Sequence, residues 1–312
     1  PTRAATAASV EDLLTLLQGL DDARLAVDRV LLCGAHDDAA SRCHVESWIG
    51  IERTLRTLSP QTPVAVLSTP VAARDDDALA AHVAVLLREL GAEHLRSASY
   101  VTGVRHVLHV QPSDAPAGTP RLHRGGTYLI TGGAGALGYA FAQHLARHYA
   151  ANLILTGRGE PDAARAARIE QLRADGAQVV YVAADVADAE AMRRCVHEGR
   201  ARFGGVHGAI HAAGVEGHGL FAGNDLARSR AVLRPKVQGT LALDAALDEC
   251  PELEFLCCFS SNAAVLGDFG SIDYAVANRF QQAWAQAFAE RSQRLAMAIG
   301  WPFWAGDGMG SG

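Results

Sequence analysis

The chain has 312 residues, of which 49% are hydrophobic, and its formal net charge is -6. Its 28 Lys and Arg residues are scattered rather than clustered, which argues against nucleic acid or an anionic membrane surface as a partner. No apolar run reaches the roughly 20 residues of a membrane helix, and the N-terminus lacks a charged-then-apolar signal, so we expect a soluble, cytoplasmic protein.

The first 122 residues alternate strand-like and helix-like segments without a glycine-rich nucleotide turn. Hydrophobic periodicity predicts strands over 29–33, 63–67 and 104–110, and helices over 45–58 and 78–90. A crossing rich in Pro, Gly and Ser follows at 111–119 and is the best boundary in the chain. Because this length suggests about two domains, we predict a structural domain over 1–122 and a catalytic domain over 123–312.

Beyond the boundary the alternation becomes long and regular, which predicts an α/β fold with a doubly wound parallel sheet. The predicted strands cover 127–130, 152–156, 178–183, 206–211, 254–259 and 296–300. Helices fill the gaps between them. The longest helix, over 226–247, contains Pro235, which should kink it or mark its start because proline lacks the backbone donor.

A glycine-rich turn follows the first strand of the second half. Glycines reach backbone angles that a Cβ forbids, and a bare backbone lets a pyrophosphate approach the N–H groups at a helix N-terminus. The context therefore predicts a dinucleotide site, although a turn that serves helix packing alone is the alternative. The residues of this turn are Thr131, Gly132, Gly133, Gly135, Ala136, Leu137 and Gly138.

The residue after the second of these strands selects the cofactor. An acidic residue there would bond the ribose of NAD, whereas a cation accommodates the additional phosphate of NADP. Arg158 stands at this place, no acidic residue precedes Glu160, and a guanidinium matches a phosphate. We therefore expect NADPH, with a merely exposed arginine as the alternative.

Further candidates follow the third and fourth strands. Asp185 and Val186 come where an adenine ring would lie, although Asp185 or Asp188 could instead cap the next helix. His211 ends the fourth strand and is interpreted as a structural residue rather than an acid. Small residues that would let a nicotinamide lie close to the backbone come next: Ala212, Ala213 and Gly214.

Four polar residues near the fifth strand have the chemistry of ketone reduction, which needs a proton donor and groups that polarise a carbonyl. Tyr274 can donate the proton if a nearby cation lowers its pKa, and Lys236 is the candidate cation. Ser261 would bond the carbonyl oxygen. Asn278, one helical turn after Tyr274, would hold a backbone group or a water. Each residue alone has an ordinary structural explanation, and the joint arrangement carries the prediction.

The six cysteines are interpreted as small buried residues in a reducing compartment. They contain no C-x-x-C pair, and Cys43-His44 lacks a second ligand pair at zinc spacing, so we expect no metal.

From Gly126 onward the chain resembles a short-chain dehydrogenase/reductase, and more narrowly the ketoreductase domain of a modular polyketide synthase. Ordinary members of the superfamily carry Tyr-x-x-x-Lys with an Asn on the preceding helix. Here Asn278 follows Tyr274 and Lys236 lies on the earlier helix, an exchange specific to the ketoreductase group. The motifs that carry the resemblance are T-G-G-A-G-A-L-G at 131–138, L-T-G-R at 155–158, H-A-A-G at 211–214, R-P-K-V-Q-G-T at 234–240, F-S-S at 259–261 and Y-A-V-A-N at 274–278.

The resemblance implies an NADPH-dependent 3-oxoacyl-[acyl-carrier-protein] reductase of secondary-metabolite biosynthesis. Its substrate would be an acyl thioester on the phosphopantetheine of an acyl carrier protein, and other domains of the same synthase would be its neighbours. Residues 1–122 would be the truncated, cofactor-free Rossmann-like subdomain, and the loop after Gly214 and a lid after Trp301 would recognise substrate. The stretch that ends at Tyr274 is similar to synthases that lack an integrated acyltransferase.

Two stereochemical marker motifs of the family are missing. Glu216-Gly217-His218 stands where D-type ketoreductases carry Leu-Asp-Asp, and Leu266 replaces the Trp of L-type domains. The missing Asp favours the L product. Because all four polar residues are present, we interpret the domain as active. A free-standing reductase of a small ketone or sugar, and a non-catalytic domain that docks a carrier protein or serves as a scaffold, are the alternatives.

Overall fold

The structure is a computed structural model that describes residues 10, 12–15, 17–19, 28–71, 75–114, 121–217 and 225–304. The chain has an α/β fold with two sheets and divides into two compact units. The first unit comprises Pro1–Ala115, Gly217–Ser229 and Asn262–Ala283, and the second comprises Pro116–Glu216, Arg230–Ser261 and Trp284–Gly312. The division at residue 122 expected from the sequence stays a prediction.

The first unit contains a four-stranded sheet in the order β1-β2-β3-β4, in which only β4 runs antiparallel to its neighbour. A small core of Leu67, Ala98 and Tyr100 lies on this sheet. The elements of the N-terminal part are β1 (Val30–His36), α1 (Ala39–Ser47), α2 (Ile49–Leu58), β2 (Val64–Pro70), α3 (Asp76–Leu90), β3 (Ala98–Val101) and β4 (Val104–His106).

Two sequence predictions in this part are wrong. The single helix predicted over 45–58 is two helices that are separated at Trp48. The first starts well before the apolar periodicity does, because a capping box between Asp38 and Ser41 begins it. The strand predicted over 104–110 ends at His106, and β3 was missed. Both strands are short because they form a hairpin through Thr102 and Gly103, which have positive φ values of 49° and 79°.

The second unit contains a six-stranded, wholly parallel sheet in the order β10-β9-β8-β5-β6-β7. The chain runs outward from β5 to β7 and then returns to β8 on the other side, so the strand order reverses between β5 and β8. In such sheets ligands bind outside the carboxyl ends of the strands at this reversal. The strands are β5 (Thr127–Thr131), β6 (Asn152–Gly157), β7 (Gln178–Ala183), β8 (Gly208–His211), β9 (Phe255–Ser261) and β10 (Leu295–Trp301).

The sequence predicted all six strands of this sheet, which confirms the doubly wound class. The helices are α4 (Ala136–Tyr149), α5 (Ala163–Ala174), α6 (Ala189–Phe203), α7 (Leu226–Lys236), α8 (Gln238–Leu247), α9 (Ala263–Leu266) and α10 (Ile272–Ser292). Pro235 lies in the last turn of α7, and the predicted long helix is interrupted two residues later at Val237.

All six cysteines are free thiols, but Cys33 is exposed, so the prediction that every cysteine is buried is wrong for this residue. Among the described side chains, no group of three or more His, Cys, Asp or Glu is arranged to hold a metal ion. None of the helices in the described part of the chain combines the length and apolar character that crossing a bilayer requires.

Candidate active site

The glycine-rich turn lies at the strand-order reversal of the second unit. Gly132 has a φ of +66°, and a Cβ on it would lie 3.0 Å from the backbone N of Ala213, which follows β8. A Cβ on Gly138 would lie 2.5 Å from the carbonyl O of Gly132. The turn therefore requires glycine at Gly132 for both conformation and space, and at Gly138 because α4 begins directly against the turn.

The same turn fits the pyrophosphate of a dinucleotide. Gly135 is the exposed N-cap residue of α4, and no side chain in the described structure caps this helix end. Its first N–H groups have no partner inside the helix, and the helix dipole favours an anion there. The turn thus serves helix packing, and the binding of a pyrophosphate at its N–H groups stays a prediction.

Two arginines flank this turn. Arg158 is exposed directly after β6, where the sequence placed it. Arg168 on α5 was not predicted: its Nη1 donates to the carbonyl O of Ala134 in the turn at 3.0 Å, and its guanidinium lies over the ring of Tyr139 at 5.5 Å. No short-range pattern links positions 134 and 168, so only the structure identifies this contact.

Asp185 after β7 makes an ion pair that the sequence did not predict. One carboxylate oxygen accepts from the backbone N of Ala187, and the other pairs with Arg234 on α7. Burial raises the pKa of Asp185, but the Arg234 contact outweighs this effect and holds the pKa below its usual range. The helix cap is Asp188, which accepts from the N of Ala191. The Asp185 carboxylate is therefore charged and fixed.

Val186 is buried in this structure. Its Cγ1 lies 2.8 Å from the place that a Cβ on Gly239 would take, so the side chain packs against the start of α8. Only the backbone of Val186 is left to face a bound ring, and its role at the adenine stays a prediction.

His211 at the end of β8 has polar partners on both sides of its ring. Nδ1 lies 2.7 Å from Oγ1 of Thr131, and Nε2 lies 3.1 Å from the carbonyl O of Pro235. Burial, followed by the charge of Lys236, lowers the pKa of His211 to about 3. The imidazole is neutral at physiological pH, which agrees with a structural residue rather than an acid.

Lys236 is the only lysine of the sequence, which otherwise carries 27 arginines among its 28 cations. Its side chain is 2% exposed, and Nζ donates to the carbonyl O of Phe259 on β9 at 2.6 Å. Burial lowers its pKa to about 8. Ser261 ends the same strand, two residues beyond Phe259, and is also buried. The structure thus brings the ammonium to the strand that carries Ser261.

Tyr274 and Asn278 belong to the first unit, on the first turns of α10. Nδ2 of the fully buried Asn278 donates to the carbonyl O of Tyr274 at 2.8 Å. Asp273 holds the helix start, since its Oδ1 accepts from the backbone N of Tyr274 at 2.8 Å. A Cβ on Gly217 would lie 2.7 Å from Cβ of Tyr274.

Lys236 and Ser261 therefore belong to the second unit, and Tyr274 and Asn278 belong to the first. That the four act together stays a prediction. His218 and residues 305–312 of the lid predicted after Trp301 lie outside the described residues. Sequence reasoning named Lys236 but did not use the fact that it is the only lysine, which a residue count reveals. An ammonium can lose its proton, whereas a guanidinium is always charged.

Comparison with known proteins gives consistent matches. A family model described as KR domain matches residues 126–306. Polyketide synthase PksM of Bacillus subtilis (strain 168) is 41% identical over 95% of this chain and 7% of its own length. Polyketide synthase ThaG of Burkholderia thailandensis is 36% identical over 96% of this chain and 5% of its own length. The chain thus spans less than a tenth of the length of these relatives.

Among solved structures, a ketoreductase domain from the bacillaene assembly line is 27% identical and superposes with a TM-score of 0.84 over 98% of this chain and 74% of that chain. KR domains are oxidoreductases that use a nicotinamide cofactor. The chain belongs to the KR domain family, the ketoreductase domains of polyketide synthases.

Proposed function

We propose that this domain reduces the 3-oxo group of an acyl thioester, carried on the phosphopantetheine of an acyl carrier protein, to a hydroxyl with NADPH. The observation that carries the proposal is the buried ammonium of Lys236, which donates from the end of α7 to the Phe259 carbonyl of β9, the strand that ends at Ser261. A buried lysine whose pKa is about 8 is a group adapted to proton chemistry rather than to solubility.

The chemistry divides between the cofactor and the chain. Bound NADPH supplies the hydride that adds to the carbonyl carbon. Tyr274 gives the proton that the developing alkoxide requires, and Ser261 donates a hydrogen bond to the same oxygen. The Lys236 ammonium favours the phenolate form and so brings the pKa of the tyrosine toward neutrality. Asn278 holds the backbone carbonyl of Tyr274 and thereby the first turn of α10.

The preference for NADPH rests on Arg158. Its exposed guanidinium follows β6, the neighbour of the strand that enters the glycine-rich turn. The carboxyl end of this strand is where a dinucleotide ribose lies in folds of this class. Asp185 would face the adenine, with its carboxylate fixed by Arg234.

The carrier-protein substrate rests on the relatives. PksM and ThaG are polyketide synthases many times longer than this chain, so the domain would act beside other domains of one synthase. The L-hydroxyl product expected from the missing Asp is part of the proposal. Six free thiols and the use of NADPH suit the reducing cytoplasm.

The proposal is tested by following the absorbance of NADPH with a 3-oxoacyl pantetheine thioester and with the same acyl group on a carrier protein. We expect turnover with both, and Tyr274→Phe should lower kcat by at least about 100-fold, the usual contribution of a general acid. Tyr149→Phe is the matched control, because Tyr149 ends α4 far along the chain from the proposed donor. No oxidation of NADPH with any keto thioester would refute the reductase. Turnover of a small ketone alone would favour the free-standing enzyme.

The cofactor assignment has a separate test. Arg158→Ala should raise the dissociation constant of NADPH about 10- to 100-fold, the range of a lost hydrogen bond to a charged group, and should leave NADH nearly unchanged. Arg193→Ala, which removes a half-buried arginine that pairs with Glu190 on α6, is the control. Equal losses for NADPH and NADH would contradict the phosphate contact.

A further inference from the structure

The fully buried imidazole of His211 connects the cofactor turn to the helix that carries Lys236. Thr131, the first residue of the glycine-rich turn, lies on one side of the ring, and Pro235, the residue before Lys236, lies on the other. All of these residues belong to the second unit.

The direction of each hydrogen bond in this chain is fixed by elementary chemistry. The Pro235 carbonyl can only accept, so Nε2 of His211 carries the proton and donates to it. The ring is neutral, so Nδ1 accepts from the hydroxyl of Thr131. That hydroxyl in turn accepts from the backbone N of Ala213 at 3.3 Å. The tautomer of His211 is thereby determined by its partners.

The Pro235 carbonyl needs an outside partner. It lies in the last turn of α7, where carbonyl groups have no backbone N–H donor within their own helix. The helix is interrupted at Val237, so the backbone that precedes Lys236 ends a helix rather than continuing one. The hydrogen bond from Nε2 of His211 on β8 therefore fixes the orientation of the Pro235–Lys236 peptide, next to the lysine side chain.

We propose that His211 is a positioning residue, which holds the Pro235–Lys236 backbone against the cofactor turn so that the Lys236 ammonium stays on the Phe259 carbonyl. The inference rests on the catalytic role proposed for Lys236. The titratable groups that act on the pair are His211 itself and Cys258, which lies opposite His211 in the β8–β9 register. The thiol of Cys258 is neutral, since burial raises its pKa far above its usual range.

Two substitutions distinguish the hydrogen bond of His211 to Pro235 from its hydrogen bond to Thr131. In His211→Gln the side-chain amide can reach the Pro235 carbonyl as Nε2 does, whereas in His211→Asn the amide ends near the position of Nδ1 and reaches only Thr131. We expect kcat to stay within about 3-fold for Gln and to fall at least about 10-fold for Asn, the size of one lost positioning contact at 1.36 kcal/mol per tenfold. His144→Asn, on the exposed face of α4, is the control.

The decisive readout does not need turnover. Because Lys236 is the only lysine, a protein labelled with [ε-13C]lysine and carrying a lysine-free tag gives one side-chain resonance whose titration reports this ammonium alone. In the wild type and His211→Gln we expect a titration near 8. In His211→Asn it should move toward the ordinary lysine value, and the alkaline limb of the kcat profile should move to higher pH as the tyrosine loses its cation.

The outcomes separate this inference from the proposed function. A shifted lysine titration in folded His211→Asn, together with a wild type that reduces no thioester, would support the positioning role and refute the reductase. An unchanged titration and an unmoved pH limb in folded His211→Asn would overturn the positioning role even if the reductase is active. Melting temperature and NADPH fluorescence establish that each variant is folded and binds cofactor. If His211→Asn fails to fold, it is replaced by Thr131→Val, which removes the hydroxyl bonded to His211 and Ala213 but keeps the bond from His211 to Pro235. The lysine titration must then stay unchanged, and a shifted titration would overturn the positioning role.

Discussion

At the scale of single residues, the role proposed for Lys236 requires a buried charge that lowers the stability of the folded protein. The ammonium is almost completely buried and has lost most of its hydration, which is why its pKa lies near 8 rather than near the ordinary value of 10.5. Unfolding returns it to water. Between these two values the unfolded chain binds the additional proton, so stability rises with pH there.

This linkage gives a prediction for Lys236→Met. The buried charge costs the wild type about 3 kcal/mol below pH 8, and this cost is relieved as the pH rises toward 10.5. Lys236→Met removes this cost. The difference between the free energies of unfolding of the Met variant and the wild type should therefore fall by about 2 kcal/mol between pH 7 and pH 9.5. Urea unfolding of both proteins at the two pH values measures it, and the lost bond to Phe259 cancels because it does not depend on pH. The same difference at both pH values would contradict the lowered pKa.

At the scale of elements, the start of α10 is fixed by the segment that precedes it and by α2, all within the first unit. Gly267 has a φ of +87° and a ψ of 174°, a region almost restricted to glycine, and a Cβ on it would lie 2.5 Å from the carbonyl O of Arg53. The backbone N of Asp268 donates to Oγ1 of the buried Thr54 at 3.1 Å. This contact sets where the helix of Tyr274 begins.

Gly267→Ala should therefore lower the free energy of unfolding by about 3 kcal/mol or more, from backbone strain and overlap together, and should lower turnover by displacing Tyr274. Gly204→Ala is the control. Gly204 has a φ of +86° but a ψ of −13°, in the less costly left-handed region, and open space around it, so it should lose only about 1 to 2 kcal/mol and keep its turnover. Equal losses in denaturant unfolding would contradict an additional cost at Gly267 from its backbone conformation and its contact with α2.

These elements also show what the sequence could predict. The six strands of the parallel sheet were readable because each is an apolar run bounded by turn residues, and the glycine-rich turn because its chemistry is local. The contact of His211 with Pro235 and that of Arg168 with Ala134 span 24 and 34 positions. Hydrophobic periodicity does not predict contacts between residues so far apart in the sequence, since these contacts depend on which strand pairs with β5. The early start of α1 was missed because a capping box, not hydrophobicity, determines it.

At the scale of the whole molecule, the tyrosine segment folds with the N-terminal residues. Residues 262–283 belong to the same compact unit as Pro1–Ala115. The rings of His44 and Phe280 lie 4.8 Å apart between centroids, and a Cβ on Gly50 would lie 2.6 Å from the backbone N of Val276. The N-terminal part thus supplies the surface on which the first turns of α10 are buried, although it contains no cofactor turn of its own.

A fragment of residues 123–312 should therefore lose turnover even though it keeps every residue of the predicted active site. It exposes Phe280, which is fully buried in the intact chain, and removes Glu46, whose carboxylate lies 3.8 Å from the buried guanidinium of Arg279. NADPH binding, measured by fluorescence, should weaken less than kcat, because the glycine-rich turn belongs to the other unit. Co-expression of residues 1–122 as a separate chain should restore turnover, since the contacts are non-covalent. Full activity of the fragment alone would mean that α10 needs no support from the N-terminal part.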